Sequence, residues 1–597
     1  MTDALTQRLW ESFQTESSND FLVSPTGKFT YRQSREGIGR WLSAFDTAGL
    51  QVGDRVVIRT SEDAVAAVSF LAALMDGVVP ILLEGSCPDA RLAAIVSAVE
   101  PGMVFSDTAL PKLGPDITAR VLAAPATSTK LSFLKRNSVS SAFGLTDPVA
   151  TRSPRLPAED GLAYLMFTSG TTSEPAGVQI YRNNLAANLE TMTRLFDYTT
   201  YSRIFNDMIF AHADGMIQGP VLAVWNGCAV LRAGGFEVGR IEAWLAHVRQ
   251  MRASHVIAVA TIWSMIDLYA EHDDYFDAPE CKWLMTVADK MPESLMRRIE
   301  SRFSRPIVNH YGLTETVASA LYSGSHFAFG EIGTLGRPID CEARIGGGVQ
   351  EGELQLAGDN IFPGYWRNPE RTKQSFTEDA WFRTGDLVRE REGGNFEMLG
   401  RLKTVIMTGG LLIRPDEIDE AMARHPAVIE SATVGLADDI FGEIAVTGVT
   451  VNIDTTEIDL TDHLRSQVEP RKVSKRIIVL PEIPRGLSGK PALSQVRHVL
   501  AQATGIAVAK SDISTETATG AADTIDDILR VAAEIFRVPI ETLSPQSQPN
   551  DVPGWDSFTH INLIFGVENH FSLQLSSAQV SQIRNIGDLI AAVHASR

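Results

Sequence analysis

Between Phe21 and about Asp107, short β-rich apolar runs ("DRVVIRT", "GVVPILLEG", "GMVFSD") alternate with amphipathic stretches such as "RQSREGIGRWLSAFDTAG". Period-two and helical patterns taking turns in this way predict an α/β sheet covered by helices. The rhythm continues through "CAVLRAG", "ASHVIAVA", "KWLMTVA" and "PIVNHYG", so residues 1–402 are expected to form one large α/β core. The longest apolar stretch, "AVAAVSFLAALM" from Ala64, is cut by Asp76, Gly77 and Pro80. It falls short of the roughly 20 residues that span a bilayer, so a buried helix followed by a strand is expected instead.

After "GRLKTVIMTGG" the elements shorten. A helix "RPDEIDEAMARH" and strands "ESATVGL" and "RIIVL" predict a small, mobile α+β subdomain over residues 403–502. Residues 503–523, "ATGIAVAKSDISTETATGAAD", hold no sustained periodicity and predict a flexible linker. From 524 to 597 the apolar spacing is helical with almost no strand signal, the size of a small four-helix bundle.

Charge narrows the partners. Fifty-three basic against 73 acidic residues give a net charge of -20 over 597 residues, which opposes the phosphate contacts that nucleic-acid binding requires. Neither nucleic acid nor membrane is expected as a partner. Cys87, Cys228, Cys281 and Cys341 lie far apart without metal-ligand spacing, and the N-terminus lacks an export pattern. A cytoplasmic location with reduced cysteines is expected.

Five stretches carry candidate chemistry. In "YLMFTSGTTSEPAGVQI" an apolar strand enters a loop where Gly170 and Gly177 let backbone N–H groups turn inward. Thr168, Ser169, Thr171 and Thr172 add hydroxyl donors for phosphate. "NHYGLTETVAS" offers the Tyr311 ring for stacking on a base, the Thr314 hydroxyl for phosphate and Glu315 as a hard oxygen ligand for Mg2+. Asp386 in "WFRTGDLVRE" can accept two ribose hydroxyls, Arg401 in "GRLKTVIMTGG" adds a second contact, and "IPRGLSGKPAL" places Lys490 on a Gly/Ser loop. Each stretch alone also reads as a turn or a solvated lysine.

In order and spacing the five resemble the adenylate-forming superfamily of acyl-CoA synthetases, luciferases and nonribosomal peptide synthetase adenylation domains, over residues 20 to 500. That resemblance implies that Thr168 to Gly177 hold the ATP phosphates, Tyr311 packs on adenine, and Thr314 and Glu315 serve the α-phosphate and Mg2+. It also implies that Asp386 and Arg401 hold ribose, Lys490 contacts substrate carboxylate and phosphate, and Lys403 is the hinge of the small domain. Gly409 and Gly410 would flank the thiol tunnel. The chain departs from the family's usual SGTTGxPKG, with Ser173 for a glycine and Ala176 for the lysine. A weakened ATP affinity with Lys490 still catalytic is expected.

Two further resemblances complete the reading. Around "DVPGWDSFTHINLIFGVENHF", residues 524–597 resemble acyl or peptidyl carrier proteins, with Ser557 as the attachment point for 4'-phosphopantetheine and Phe558 for the usual leucine. An ordinary N-cap serine is the alternative. In "MIFAHADGMIQGP", Asp214 falls where amino-acid-activating domains bind the α-amine, His212 falls where acyl-activating members often carry histidine, and Gln218 faces the same pocket one turn on. Lys290 in "TVADKMP" departs from the usual Gly-Gly segment.

The expected activity is ATP-dependent conversion of a small polar or amine-bearing carboxylic acid to acyl-AMP, then thioester loading onto the chain's own carrier. Its partners would be a phosphopantetheinyl transferase and a downstream enzyme that accepts the thioester. The alternatives are an acyl-CoA or acyl-carrier ligase for a non-amino (fatty, hydroxy or aryl) acid and a non-catalytic carrier scaffold.

Overall fold

The computed structural model describes the chain apart from residues 1–3, 16–17, 111–117, 123–142, 147, 151, 168–175, 237, 289–290, 327, 403–405, 409–410, 439–441, 453–454, 469–471, 486–490, 505, 507–523, 537, 550, 553–554, 556–562, 565–566, 568–582 and 597. The runs expected as strands are strands, but they are divided between sheets. A nine-stranded sheet holds six central parallel strands in the order Ile307–Tyr311, Trp283–Val287, His255–Val259, Arg203–Asn206, Ala229–Leu231, Asp20–Ser24, with antiparallel strands at both edges. A second, parallel sheet is built from Val79–Glu84, Arg55–Thr60, Met103–Ser106 and Ala119–Val121.

The apolar run from Ala64 forms the helix Asp63–Asp76, buried along almost its whole length and ended by Gly77 at φ 73°. Asp76, the polar residue that interrupts the run, is wholly buried. Its carboxylate is clamped by Arg152 at 2.6 Å and Arg155 at 2.5 Å. A buried charge persists when it is paired and hydrogen-bonded, as here. The helix leads into the strand Val79–Glu84, as its pattern predicts.

A two-stranded hairpin, Leu162–Phe167 with Gly177–Tyr181, brackets the glycine-rich loop, with Phe167 opposite Gly177. A four-stranded antiparallel sheet follows, made of Glu342–Ile345, Glu351–Ala357, Phe382–Arg391 and Asn395–Arg401. One apolar cluster runs through all of these, from Leu5 to Phe396.

The smaller α+β subdomain has its own sheet, including Val428–Asp438, Gly442–Val451 and Arg476–Val479, covered by the helices Pro415–Met422, Glu457–Gln467 and Leu493–Thr504. Pro415 opens its helix at the position where a missing N–H costs nothing. Arg414 reaches back to Glu351 of the preceding sheet at 3.7 Å. Beyond residue 523, the helices Thr524–Phe536 and Ile586–Ser596 enclose a separate apolar cluster, in which Trp555 stacks on Phe536 at 4.5 Å. Among the described residues no helix is long and apolar enough to cross a membrane.

Candidate active site

The strand Ile307–Tyr311 ends in a sharply folded turn. Gly312 is required there, because a Cβ would lie 1.9 Å from the Ala318 carbonyl oxygen. The Leu313 N–H donates to Thr316 Oγ1 at 2.9 Å, and that hydroxyl donates back to the Leu313 carbonyl at 3.0 Å. Val317 follows at φ 67° and ψ -63°, and the Ala318 N–H closes a three-residue turn on the Thr316 carbonyl at 2.8 Å. A β-branched residue in that conformation costs about 1–3 kcal/mol and persists only where its surroundings hold it.

What is held is Glu315. Its carbonyl accepts the Phe362 N–H at 2.9 Å, and its Oε1 accepts the Tyr365 hydroxyl at 2.7 Å. Oε2 has no hydrogen-bond partner among the described residues, which leaves a hard oxygen donor of the kind Mg2+ takes. The segment carrying Phe362 and Tyr365 is pinned by Asn184, whose side-chain amide donates to the carbonyls of Asp359 at 2.7 Å and Ile361 at 3.0 Å. Asn188 likewise holds Ser319 beyond the turn, at 2.8 Å.

On the other side of the turn the Tyr311 hydroxyl donates to Asp386 Oδ2 at 2.6 Å, while Arg401 Nε lies 3.0 Å from Oδ1. Asp386 and Arg401 are direct cross-strand partners, which fixes that geometry through backbone register. The Asp386 N–H donates to Thr384 Oγ1 at 3.1 Å. Burial, then the Asp386 charge, pushes the Tyr311 phenol well up, so it remains a donor. Tyr311, Asp386 and Arg401 are thus brought together from segments 75 residues apart.

A third group lies where the strand Arg203–Asn206 ends. Gln218, 1% exposed, donates from Nε2 to Asp214 Oδ1 at 2.8 Å, and Asn206 donates to the Asp214 carbonyl at 2.7 Å. Gln218 sits in a π-helical turn, Ile217–Val221, broken at Gly219 and followed by Pro220. Such turns widen a helix locally and recur at functional sites. His212 precedes the short helix Ala213–Met216 that leads into this turn; desolvation, then the charge of Arg91, holds its ring below the ordinary imidazole range.

The chain matches the AMP-binding enzyme pattern over residues 9–366 and the C-terminal domain of AMP-binding enzymes over residues 417–490. It belongs to the AMP-binding enzyme family. It is 29% identical to the sulfoacetate–CoA ligase of Cupriavidus necator over 491 residues, 79% of this chain and 92% of that protein. It is also 29% identical to the oxalate–CoA ligase of Arabidopsis thaliana over 353 residues, 56% of this chain and 66% of that one. ATP-bound MatB from Rhodopseudomonas palustris superposes with a TM-score of 0.74 at 24% identity, covering 84% of this chain and 99% of its own. The chain is therefore an adenylate-forming ligase with the α/β core and small C-terminal subdomain of that fold.

Thr168, Ser169, Gly170, Thr171, Thr172, Lys290, Lys403, Gly409, Gly410, Lys490 and Ser557 lie outside the described residues. Of the glycine-rich loop, Gly177 is described, and a Cβ on it would press 2.9 Å from the Phe167 ring. Ala176, which stands where the family usually has its loop lysine, is only 8% exposed and belongs to the main apolar cluster. Tyr365, Thr384, Asn184 and Asn188 escape sequence reading. The triplet "GYW" at 364–366 is the visible signal, a tyrosine beside a glycine held at φ 151°.

Proposed function

We propose that this AMP-binding enzyme activates a short, polar carboxylic acid with ATP and passes the acyl group to the thiol of coenzyme A. The observation that carries the reading is the Tyr311–Asp386–Arg401 cluster, set beside a Glu315 whose second carboxylate oxygen is available to a cation. In this reading Tyr311 packs on adenine. Asp386 would accept the ribose hydroxyls, and Arg401 neutralises its charge. Thr314 offers its hydroxyl to the α-phosphate, and Glu315 with the loop hydroxyls Thr168 to Thr172 would hold Mg2+ and phosphate. Mg2+, when bound, neutralises phosphate oxygens and the pyrophosphate leaving group. Lys490 steadies the substrate carboxylate as it attacks the α-phosphorus in line, and the small subdomain, swinging about Lys403, then admits the thiol.

An acid without an α-amine fits better than an amino acid. The Asp214 carboxylate already accepts from Gln218 and its backbone carbonyl from Asn206, and the relatives are named for sulfoacetate and oxalate. His212, Gln218 and Lys290 then line the acid pocket. Pyrophosphate exchange with a panel of short acids, followed by mass analysis of the coenzyme A products, tests this. Exchange with amino acids alone would overturn it.

One observation favours a second acceptor. The family match ends at residue 490, yet Ile528 to Val593 build a core of their own. A carrier unit over 524–597, loaded at Ser557 after modification by a phosphopantetheinyl transferase, would receive the acyl group in place of coenzyme A, with a downstream enzyme taking it on. Tethering would favour that transfer by raising effective concentration. A mass increase of the intact chain on incubation with such a transferase distinguishes the two.

A further inference from the structure

The loop lysine missing at position 176 leaves a question of charge: what meets the β- and γ-phosphates? Residue 176 adjoins Gly177, whose carbonyl accepts the Trp366 N–H at 2.7 Å, and Val178 is bridged to Tyr365. The segment 364–373 therefore runs directly beside the strand that begins at the missing lysine. It is rich in cations: Arg367, Arg371 and Lys373. Arg367 is committed to Glu100 at 2.7 Å.

Arg371 is placed differently. Its guanidinium carbon lies 4.3 Å from the centre of the Tyr365 ring, and no carboxylate lies within ion-pair distance of it among the described residues. The helix that carries it, Pro369–Gln374, is fixed by Asn368 Oδ1 accepting the Arg371 N–H at 3.0 Å. Arg371 is half-buried and has no acidic partner among the described residues. The far end of the same phenol holds Glu315, so the guanidinium is stacked one ring away from the carboxylate that would hold Mg2+. Its charge is felt at the Tyr365 hydroxyl, which burial and Glu315 push up and Arg371 draws down.

We propose that Arg371 supplies to the β- and γ-phosphates of ATP the positive charge that position 176 does not carry. The inference rests on the ATP-dependent reading above. A guanidinium suits the task, since its planar fork pairs two phosphate oxygens at once and it is readily released from an aromatic face to do so. Ion pairing with phosphate would replace the cation–π contact with the buried Tyr365 ring.

The test is calorimetry on the full chain with Mg2+ and two probes, α,β-methylene-ATP and AMP. Arg371→Gln is expected to weaken α,β-methylene-ATP binding about tenfold, about 1.4 kcal/mol, and to leave AMP binding within about twofold of the parent. Arg371→Lys, which keeps the charge without the fork, should fall between. Arg371→Met serves as a second neutral replacement if the glutamine does not fold. Equal binding of α,β-methylene-ATP by parent and neutral variants, or an equal loss for both nucleotides, overturns the inference while leaving the ligase reading intact. A parent chain that takes up neither nucleotide overturns the ligase reading, and this inference with it.

Discussion

Three residues show how the site depends on single groups. Tyr365 aims Glu315 through one hydrogen bond of 2.7 Å to a charged acceptor. Tyr365→Phe is expected to raise the Mg2+ concentration needed for half-maximal pyrophosphate exchange about tenfold, since such a bond contributes about 1.5–3 kcal/mol. The melting temperature should barely move. Asp214→Asn should leave turnover of a non-amino acid within a few-fold, whereas a substrate amine held by Asp214 would lose its anchor. His310 is buried against Phe196, and desolvation draws its ring down to about 3. The unfolded chain therefore binds a proton here below the ordinary histidine value near 6.5 while the folded one does not, so stability falls as pH drops from there toward 3. His310→Gln should flatten the loss of melting temperature between pH 7 and pH 5.

At the scale of elements, what could be read from sequence was whatever periodicity or a local turn decides. The strands Arg55–Thr60, Val79–Glu84, His255–Val259 and Ile307–Tyr311 and the buried helix from Asp63 follow directly from apolar runs and their breakers. Their partition between a nine-stranded mixed sheet and a smaller parallel one does not, because strand order is set by packing that no local run encodes. Tyr311, Glu315, Asp386 and Arg401 were found by motif, whereas Tyr365 meets Glu315 across 50 residues and Asn184 meets Ile361 across 177, distances no spacing rule spans. In the small subdomain, Asp419 accepts from the Thr433 N–H and hydroxyl, and burial pushes its carboxyl up to about 7. Folding then favours the protonated acid, and stability declines as pH climbs from about 4 through 7. Asp419→Asn should melt higher than the parent at pH 8, with the gap closing at pH 5.

Across the whole molecule, the units differ in what they own. The core and the small subdomain each have apolar clusters, and residues 528 to 593 have another. Removing residues 503–597 should leave pyrophosphate exchange within about twofold of the full chain; a large loss would mean that the last unit completes the activation site. The strand Asn395–Arg401 closes the four-stranded sheet, where its final residue clasps Asp386, and the first strand of the small subdomain follows at Ile406. A nucleotide sugar resting on that clasp would be felt at the root of the neighbouring unit, much as a key in a lock is felt at the bolt. On the proposed reading, nucleotide occupancy and the turn of the small subdomain would share a single rung of backbone.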